Sequence, residues 1–285
     1  MKPNPSLQFS FVTVLFLLLV CLEGQSAPSA NDPFAFVFID RKTEKKLGNF
    51  PYSRVVLAQG FQKLREARVK AVVLKFFLDQ AKDAPGDQAL AHEMKQIPTL
   101  LQARLDPEEA NPNPILRNSP SDQLLQTDEV LRLRGDSGWI PLPVFQNSSV
   151  GIGFVDMPSA EDPGQLPLGV LYKGEKRPSL WVLALELAKG RKALISERKL
   201  GGITLNPLIV QEGGMIRVDT SPEPNLKFHS FLDLLEGRLS QKSLEGKIVI
   251  LGYEGESAPF FTTPHGALSG HRLFGFTLVH FFSRL

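Results

Sequence analysis

Two apolar runs, FAFVFID at 34–40 and VKAVVLKFFLD at 69–79, each close on an aspartate, and a segment of helical period lies between them. An apolar run of strand length with no polar alternation marks a strand covered on both faces, so helices must lie above and below the sheet. That requirement sets the fold class as α/β, with a mixed, largely parallel sheet flanked by helices. Val55, Val56, Leu57, Phe61 and Leu64 recur at helical spacing to about Ala67, with Lys and Arg between them, which predicts an amphipathic helix. PGDQALAHEMKQI (85–97) predicts a second helix, and SVGIGFVDM (149–157) and QLPLGVLYKG (165–174) predict strands around a turn centred on EDPG. PSLWVLALELAKG (178–190) is a helix with Pro at its start and Gly beyond its end. GITLNPLIVQEGGMIRVDT (202–220) predicts a hairpin turning on Gly213-Gly214. HSFLDLLEGRL (229–239) follows as a short helix, KIVILG (247–252) as a strand and SGHRLFGFTLVHFFSRL (269–285) as a closing helix. From about Asp106 to Ser149 the periodicity fails and Pro, Asn, Asp and Ser dominate, so a single domain carries a long irregular loop there.

Composition matters for what it excludes. Lys and Arg total 32 against 30 Asp and Glu, a formal charge of +2, so no bulk attraction draws the chain to nucleic acid or to an anionic membrane surface. The first residues are of a different kind. One Lys near the start, an apolar run of about 14 residues from Phe9 to Leu22, then small and polar residues follow the order of a secretory signal. That run is short of the roughly 20 residues that span a bilayer. Cleavage after Ser26 divides the sequence into a signal peptide (1–26), a linker (27–33) and a domain (34–285) exported to the periplasm or secreted. The alternatives are a lipid anchor at Cys21 and an uncleaved N-terminal anchor. Cys21 is the only cysteine, so the mature domain has no disulfide and its core alone must hold it.

Four stretches resemble a known family when taken in order: FVFIDRKT, FPYSRVVLAQGFQKLREARVKAVVLKFFLD, GDQALAHEM, and FHSFLDLLEGRLSQKSLEGKIVILGYEGESAPFFTTPHGALSGH. They are similar to the CHASE2 domain, an extracytoplasmic sensory module of bacterial signalling receptors, and the resemblance runs over roughly 34–285. It implies a sensory rather than catalytic domain that responds to an unknown small ligand or a membrane signalling partner, with no cofactor, no metal and no nucleic acid. Members of the family continue into membrane spans and a cytoplasmic output. This sequence ends at Leu285, and the 11 residues from Leu273 to Ser283 are too short to cross a bilayer. The reading is therefore a stand-alone exported sensory domain that signals through a partner. The alternative is an exported binding or adhesion protein on the same scaffold that no longer senses, and an exported hydrolase is a third class. Several departures stand out. Lys75 occupies a second-strand position that is acidic in the family, Phe260-Phe261 replaces a polar approach to Thr-Thr-Pro, and the family's Asp-Gly-x-x-Arg turn reduces to EDPGQLP without its Arg.

In open α/β sheets ligands bind beyond the carboxyl ends of the strands. Asp40, Arg54, Asp79, Asp87, Tyr253 and Thr262 lie at strand ends and helix starts and form the candidate ligand pocket. The bland reading makes them helix caps, turn formers and an ion pair. GYEGES lacks the Gly-Lys-Ser/Thr of a phosphate loop, and its glutamates repel phosphate. Ser257, His265, His271 and His92 supply the residue types of a hydrolase, but no Gly-x-Ser-x-Gly elbow accompanies them. His265 and His271 lie six apart with no metal-binding spacing to join them. Arg134-Gly135-Asp136 falls in the irregular loop, as a displayed adhesion tripeptide would. The closing helix is apolar nearly all round, which means it is either buried in the core or docked on a partner.

Overall fold

The computed structural model describes residues 32–284 apart from 128, 158–163, 191–198, 201–202, 205–209, 212, 218–225 and 264–265. The proposed signal peptide and all but the last residues of the linker lie outside the described residues. So do His265 and most of the expected EDPG turn.

Strands β1 (Phe34–Asp40), β2 (Ala71–Leu74) and β3 (Thr99–Leu105) are joined by helices α1 (Arg41–Leu47), α2 (Arg54–Glu66) and α3 (Ala84–Met94). A two-residue strand β4 (Gly138–Trp139), helix α4 (Pro143–Gln146) and strand β5 (Gly151–Phe154) follow. The sheet order then doubles back. Strand β6 (Gln165–Pro167) is followed by the hairpin of β7 (Gly169–Tyr172) and β8 (Glu175–Pro178), helix α5 (Leu180–Lys189) and β9 (Met215–Arg217). Strand β10 (Phe228–Ser230) then leads through α6 (Phe231–Leu235) to β11 (Ile248–Glu254). A hairpin of β12 (Phe260–Thr263) and β13 (Gly266–Ser269) leads into the closing helix α7 (Gly270–Arg284).

The main sheet runs β10-β1-β11-β2-β3, with β5 parallel to β3 along its first part and β4 antiparallel at its end. All the other pairings in it are parallel, so β11, late in the chain, inserts between the first two strands. Strand alternation splits the core into two halves. Ala35, Val37 and Ile39 face one side with Val249 and Leu251, packed with Leu57, Phe61 and Leu64 of α2, Leu90 and Met94 of α3, and Phe231 of α6. Phe34, Phe36 and Phe38 face the other side with Ile248 and Ile250, beneath α5 and α7. Each large side chain so buried contributes about 1.5–3 kcal/mol.

Several local readings need correcting. β2 ends at Leu74, not Asp79, because the ladder stops with the hydrogen bond from Lys75 N to the Leu251 carbonyl. Phe76 and Leu78 keep the two-residue period and stay buried without being strand. The expected strands at 149–157 and 165–174 do not pair with each other: β5 joins β3, and Gly169–Tyr172 pairs with Glu175–Pro178. Their hairpin turns on Lys173 and Gly174, both at positive φ (48° and 79°), a primed two-residue turn. Arg177, beyond this turn, is buried, with its guanidinium 2.6 Å from both Asp122 and Glu175.

Helix α5 follows the sequence expectation closely and ends on Gly190 in the left-handed region. On its buried face Glu186 Oε1 has no hydrogen-bond partner among the described residues, and burial pushes the carboxyl up to about 8. An acid whose folded pKa is raised stays protonated in the native state while the unfolded chain ionises above about 4.5. Stability therefore falls as pH rises from about 4.5 to 8. Glu186→Met is expected to raise stability at pH 7 by on the order of 3 kcal/mol, and the gain should vanish at pH 4. Urea unfolding at the two pH values measures it. An equal gain at both would show that packing, not ionisation, is responsible.

The closing helix completes the core. Leu273, Phe276, Leu278 and Phe281 are buried, and Phe274, Val279 and Phe282 are half-buried. Trp181 of α5 stacks on Phe281 at 5.0 Å.

Candidate functional site at the carboxyl rim of the sheet

The connection after β1 crosses one face of the sheet, whereas the chain after β11 enters α7 on the other. Adjacent strands whose connections leave to opposite faces open a crevice at their carboxyl ends. Here that rim holds a cleft of about 460 Å³ bounded by the ends of β1, β10 and β11, the β12–β13 hairpin and the start of α7. Its floor is aromatic. Phe38 stacks on Phe228 at 5.2 Å, and the Arg272 guanidinium lies 4.7 Å above the Phe228 ring. Phe260, on the hairpin, is 61% exposed at the cleft edge.

Charges of both signs line the walls. Burial pushes the Glu254 carboxyl up, against the opposing effect of Arg272, whose Nε lies 3.2 Å away. The Ser269 hydroxyl donates to the other oxygen of Glu254 and caps α7 by accepting from Arg272 N at 3.2 Å. Opposite them, Asp40 caps α1 by accepting from Thr43 N (2.9 Å), and it also accepts from the hydroxyls of Thr43 (2.6 Å) and Ser230 (2.9 Å). Ser230 therefore ties the end of β10 to the end of β1 instead of capping its own helix. Arg41 adds a further exposed cation to the wall.

The six candidate residues are spread over both faces of this rim. Asp40 lines the cleft. Tyr253, paired across the ladder with Ile39, points to the opposite face, because successive strand residues alternate. There it stacks on Phe50 at 5.0 Å and donates to Glu44 Oε1 at 2.8 Å. Glu44 also accepts from Glu256 N at 2.9 Å. Burial raises its pKa, but these hydrogen bonds outweigh that effect and hold it below the usual carboxylate range. Arg54 and Asp87 meet on the same face as Tyr253, Nε to Oδ1 at 3.4 Å, between α2 and α3. Asp79 lies in the turn after β2, where its carbonyl accepts from Asn113 Nδ2 at 2.7 Å. Thr262 is exposed on β12. Of the six, then, the structure joins only Arg54 and Asp87. Sequence reasoning passed over Glu254, Ser269 and Arg272, because the end of β11, the end of β13 and the start of α7 become neighbours only in the tertiary fold.

Two of the other candidates, Ser257 and His271, have structural partners. Ser257 Oγ lies 2.8 Å from the Tyr253 phenol. The His271 ring fits between two main-chain carbonyls, with Nδ1 2.5 Å from Tyr253 O and Nε2 3.3 Å from Lys75 O. Burial, with Lys75 adding to it, pushes His271 down to about 4, so the ring is neutral and its one N–H makes the shorter contact. Gly252 permits this approach: a Cβ there would lie 3.0 Å from the ring. Arg134 and Gly135 form a short strand paired with Leu171 and Tyr172, not the tip of a loop. Among the described residues, no group of His, Cys, Asp and Glu side chains is placed to hold a metal.

A family model described as the CHASE2 domain matches residues 9–279, nearly the whole chain. The chain belongs to the CHASE2 domain family. CHASE2 domains are extracytoplasmic sensory domains, so this identification assigns the chain to a sensory family. Among the described residues, no helix of this CHASE2 domain is long and apolar enough to cross a membrane. Comparison with curated proteins and with solved structures gives no match.

Proposed function

We propose that this CHASE2 domain is an exported, non-catalytic sensor, periplasmic or secreted, that binds a small polar ligand and passes its state to a separate membrane signalling partner. The observation that carries this reading is the cleft at the crevice flanking β11. It combines an aromatic floor of Phe38 and Phe228 with carboxylates and guanidinium groups on opposite walls. A flat group stacking on the floor, with polar substituents reaching Asp40, Glu254 and Arg272, fits that lining. In this reading Asp40 contacts the ligand. Arg54, Asp79, Asp87 and Tyr253 hold the rim from the opposite face, and Thr262 borders it from the hairpin. A ligand of the folded state must raise the melting temperature. A metabolite panel is expected to contain a compound that does so, and Arg272→Ala is expected to abolish its effect. A ligand shift that persists undiminished in Arg272→Ala and in Phe228→Ala would place the site elsewhere and reject the cleft.

A further inference from the structure

Beside the cleft and separate from it, a cavity of about 50 Å³ lies between the ends of β2 and β5 and the first turns of α5 and α7. Its walls are mostly apolar, including Phe154, Leu166, Trp181, Leu273 and Phe274. Lys75 also lines it. This lysine is 8% exposed, has no carboxylate within ion-pair distance among the described residues, and makes its nearest charge-directed contact with the Phe274 ring at 4.4 Å. Burial alone pushes it down to about 7. A buried ammonium without an anionic partner is costly. The acid on the same wall, Asp156, is taken up by the Leu105 N–H at 3.0 and 3.1 Å and makes no ion pair with Lys75. Two more features of the cavity favour negative charge. α5 starts there without a side-chain cap, because the Ser179 hydroxyl donates to the Pro167 carbonyl instead, and Gly270 brings the positive end of α7 to the wall.

We propose that this cavity is a binding site for a small monocarboxylate of two or three carbons, its carboxylate on the Lys75 ammonium and its alkyl end against Leu273 and Phe274. The size fits. A water-sized group needs about 10–15 Å³, so the cavity has room for an anion of the size of acetate. The proposal does not depend on the cleft: either site stands if the other fails.

The test is a titration of the full chain with sodium acetate, balanced at constant ionic strength by sodium gluconate, whose anion is too large to enter. Acetate is expected to raise the melting temperature saturably by about 3 °C. Benzoate, also too large, should leave it unchanged. Lys75→Met, which keeps the unbranched stem of the side chain and removes the ammonium, should abolish the acetate response. An acetate effect that does not saturate, an equal effect of benzoate, or an undiminished effect in Lys75→Met would overturn the assignment. The benzoate comparison uses the unaltered protein, so the test stands even if Lys75→Met does not fold.

Discussion

Replacing Asp87 by Asn is expected to destabilise the domain by about 3–5 kcal/mol, read as a lower urea midpoint with an unchanged slope. The side chains of Arg54 and Asp87 are 7% and 9% exposed, and burial lowers the Arg54 pKa while the Asp87 charge works to restore it. The 3.4 Å contact of Nε with Oδ1 is an ion pair without good hydrogen-bond alignment, since neither atom has a hydrogen-bond partner among the described residues. The side-chain hydrogen bonds of the pair to its surroundings include Asp87 Oδ2 accepting from Lys82 N at 3.1 Å and Arg54 Nη2 donating to the Gln80 carbonyl at 3.4 Å, and the guanidinium lies 5.7 Å from the Phe145 ring centroid. Asn preserves the shape and an acceptor for Lys82 N, but it leaves the guanidinium buried without a counter-charge. Most of the loss therefore reflects an uncompensated ion and not the net worth of the pair. The double variant Arg54→Met/Asp87→Leu is accordingly expected to recover most of the stability, because apolar replacement of a buried pair is often neutral or better. If Asp87→Asn alone cost less than about 1 kcal/mol, the pair would be effectively solvated and this account would fail.

Phe231→Ala is expected to cost about 3–5 kcal/mol, the usual range for deleting a fully buried phenyl ring. The ring, fully buried at the start of α6, lies directly on Gly60 in the middle of α2. A Cβ on Gly60 would come 2.6 Å from Phe231 Cζ, so the glycine is a socket for the ring. On an exposed helix, Gly→Ala would gain roughly 1 kcal/mol in propensity. Here Gly60→Ala is expected to destabilise instead, because the ring must move within a packed core. The two changes should be strongly non-additive: in a Phe231→Ala background, Gly60→Ala should become stabilising. Chemical denaturation of the double-mutant cycle measures this coupling. Additive effects would mean that the ring does not depend on the socket.

The fold was largely legible because its signals are periodic. Continuous apolar runs identified β1 and β11 as doubly covered strands, and the helical spacing of Leu57, Phe61 and Leu64 identified α2. Glycine and proline fixed the ends of α5. β3 was not legible even though Pro98 separates TLLQARL from the α3 segment, because its apolar run is too short to tell from a helix end by period alone. EDPG carries the stronger turn composition, and only the pairing of Gly169–Tyr172 with Glu175–Pro178 reveals the tight turn at Lys173-Gly174. The candidate site was legible as residue types at strand ends but not as a constellation. Asp40 and Tyr253 both sit at strand ends, yet the register that sets Tyr253 beside Ile39 and Glu254 beside Asp40 sends their side chains to opposite faces.

The sequence by itself determined the layered α/β class, the family and the burial of Lys75 within an apolar run, since each rests on local pattern and composition. Tertiary structure decided which carboxyl ends become neighbours. β11 reaches the centre of the sheet only through parallel pairing with β1 and β2, strands more than 170 residues away in sequence. That insertion sets the connection after β1 and the helix after β11 on opposite faces. It thereby creates the cleft at Asp40, Glu254 and Arg272, and it brings α7 over Lys75 to form one wall of the cavity. Long-range strand order leaves no periodic trace in the chain, because each strand needs only to be apolar to take part in it.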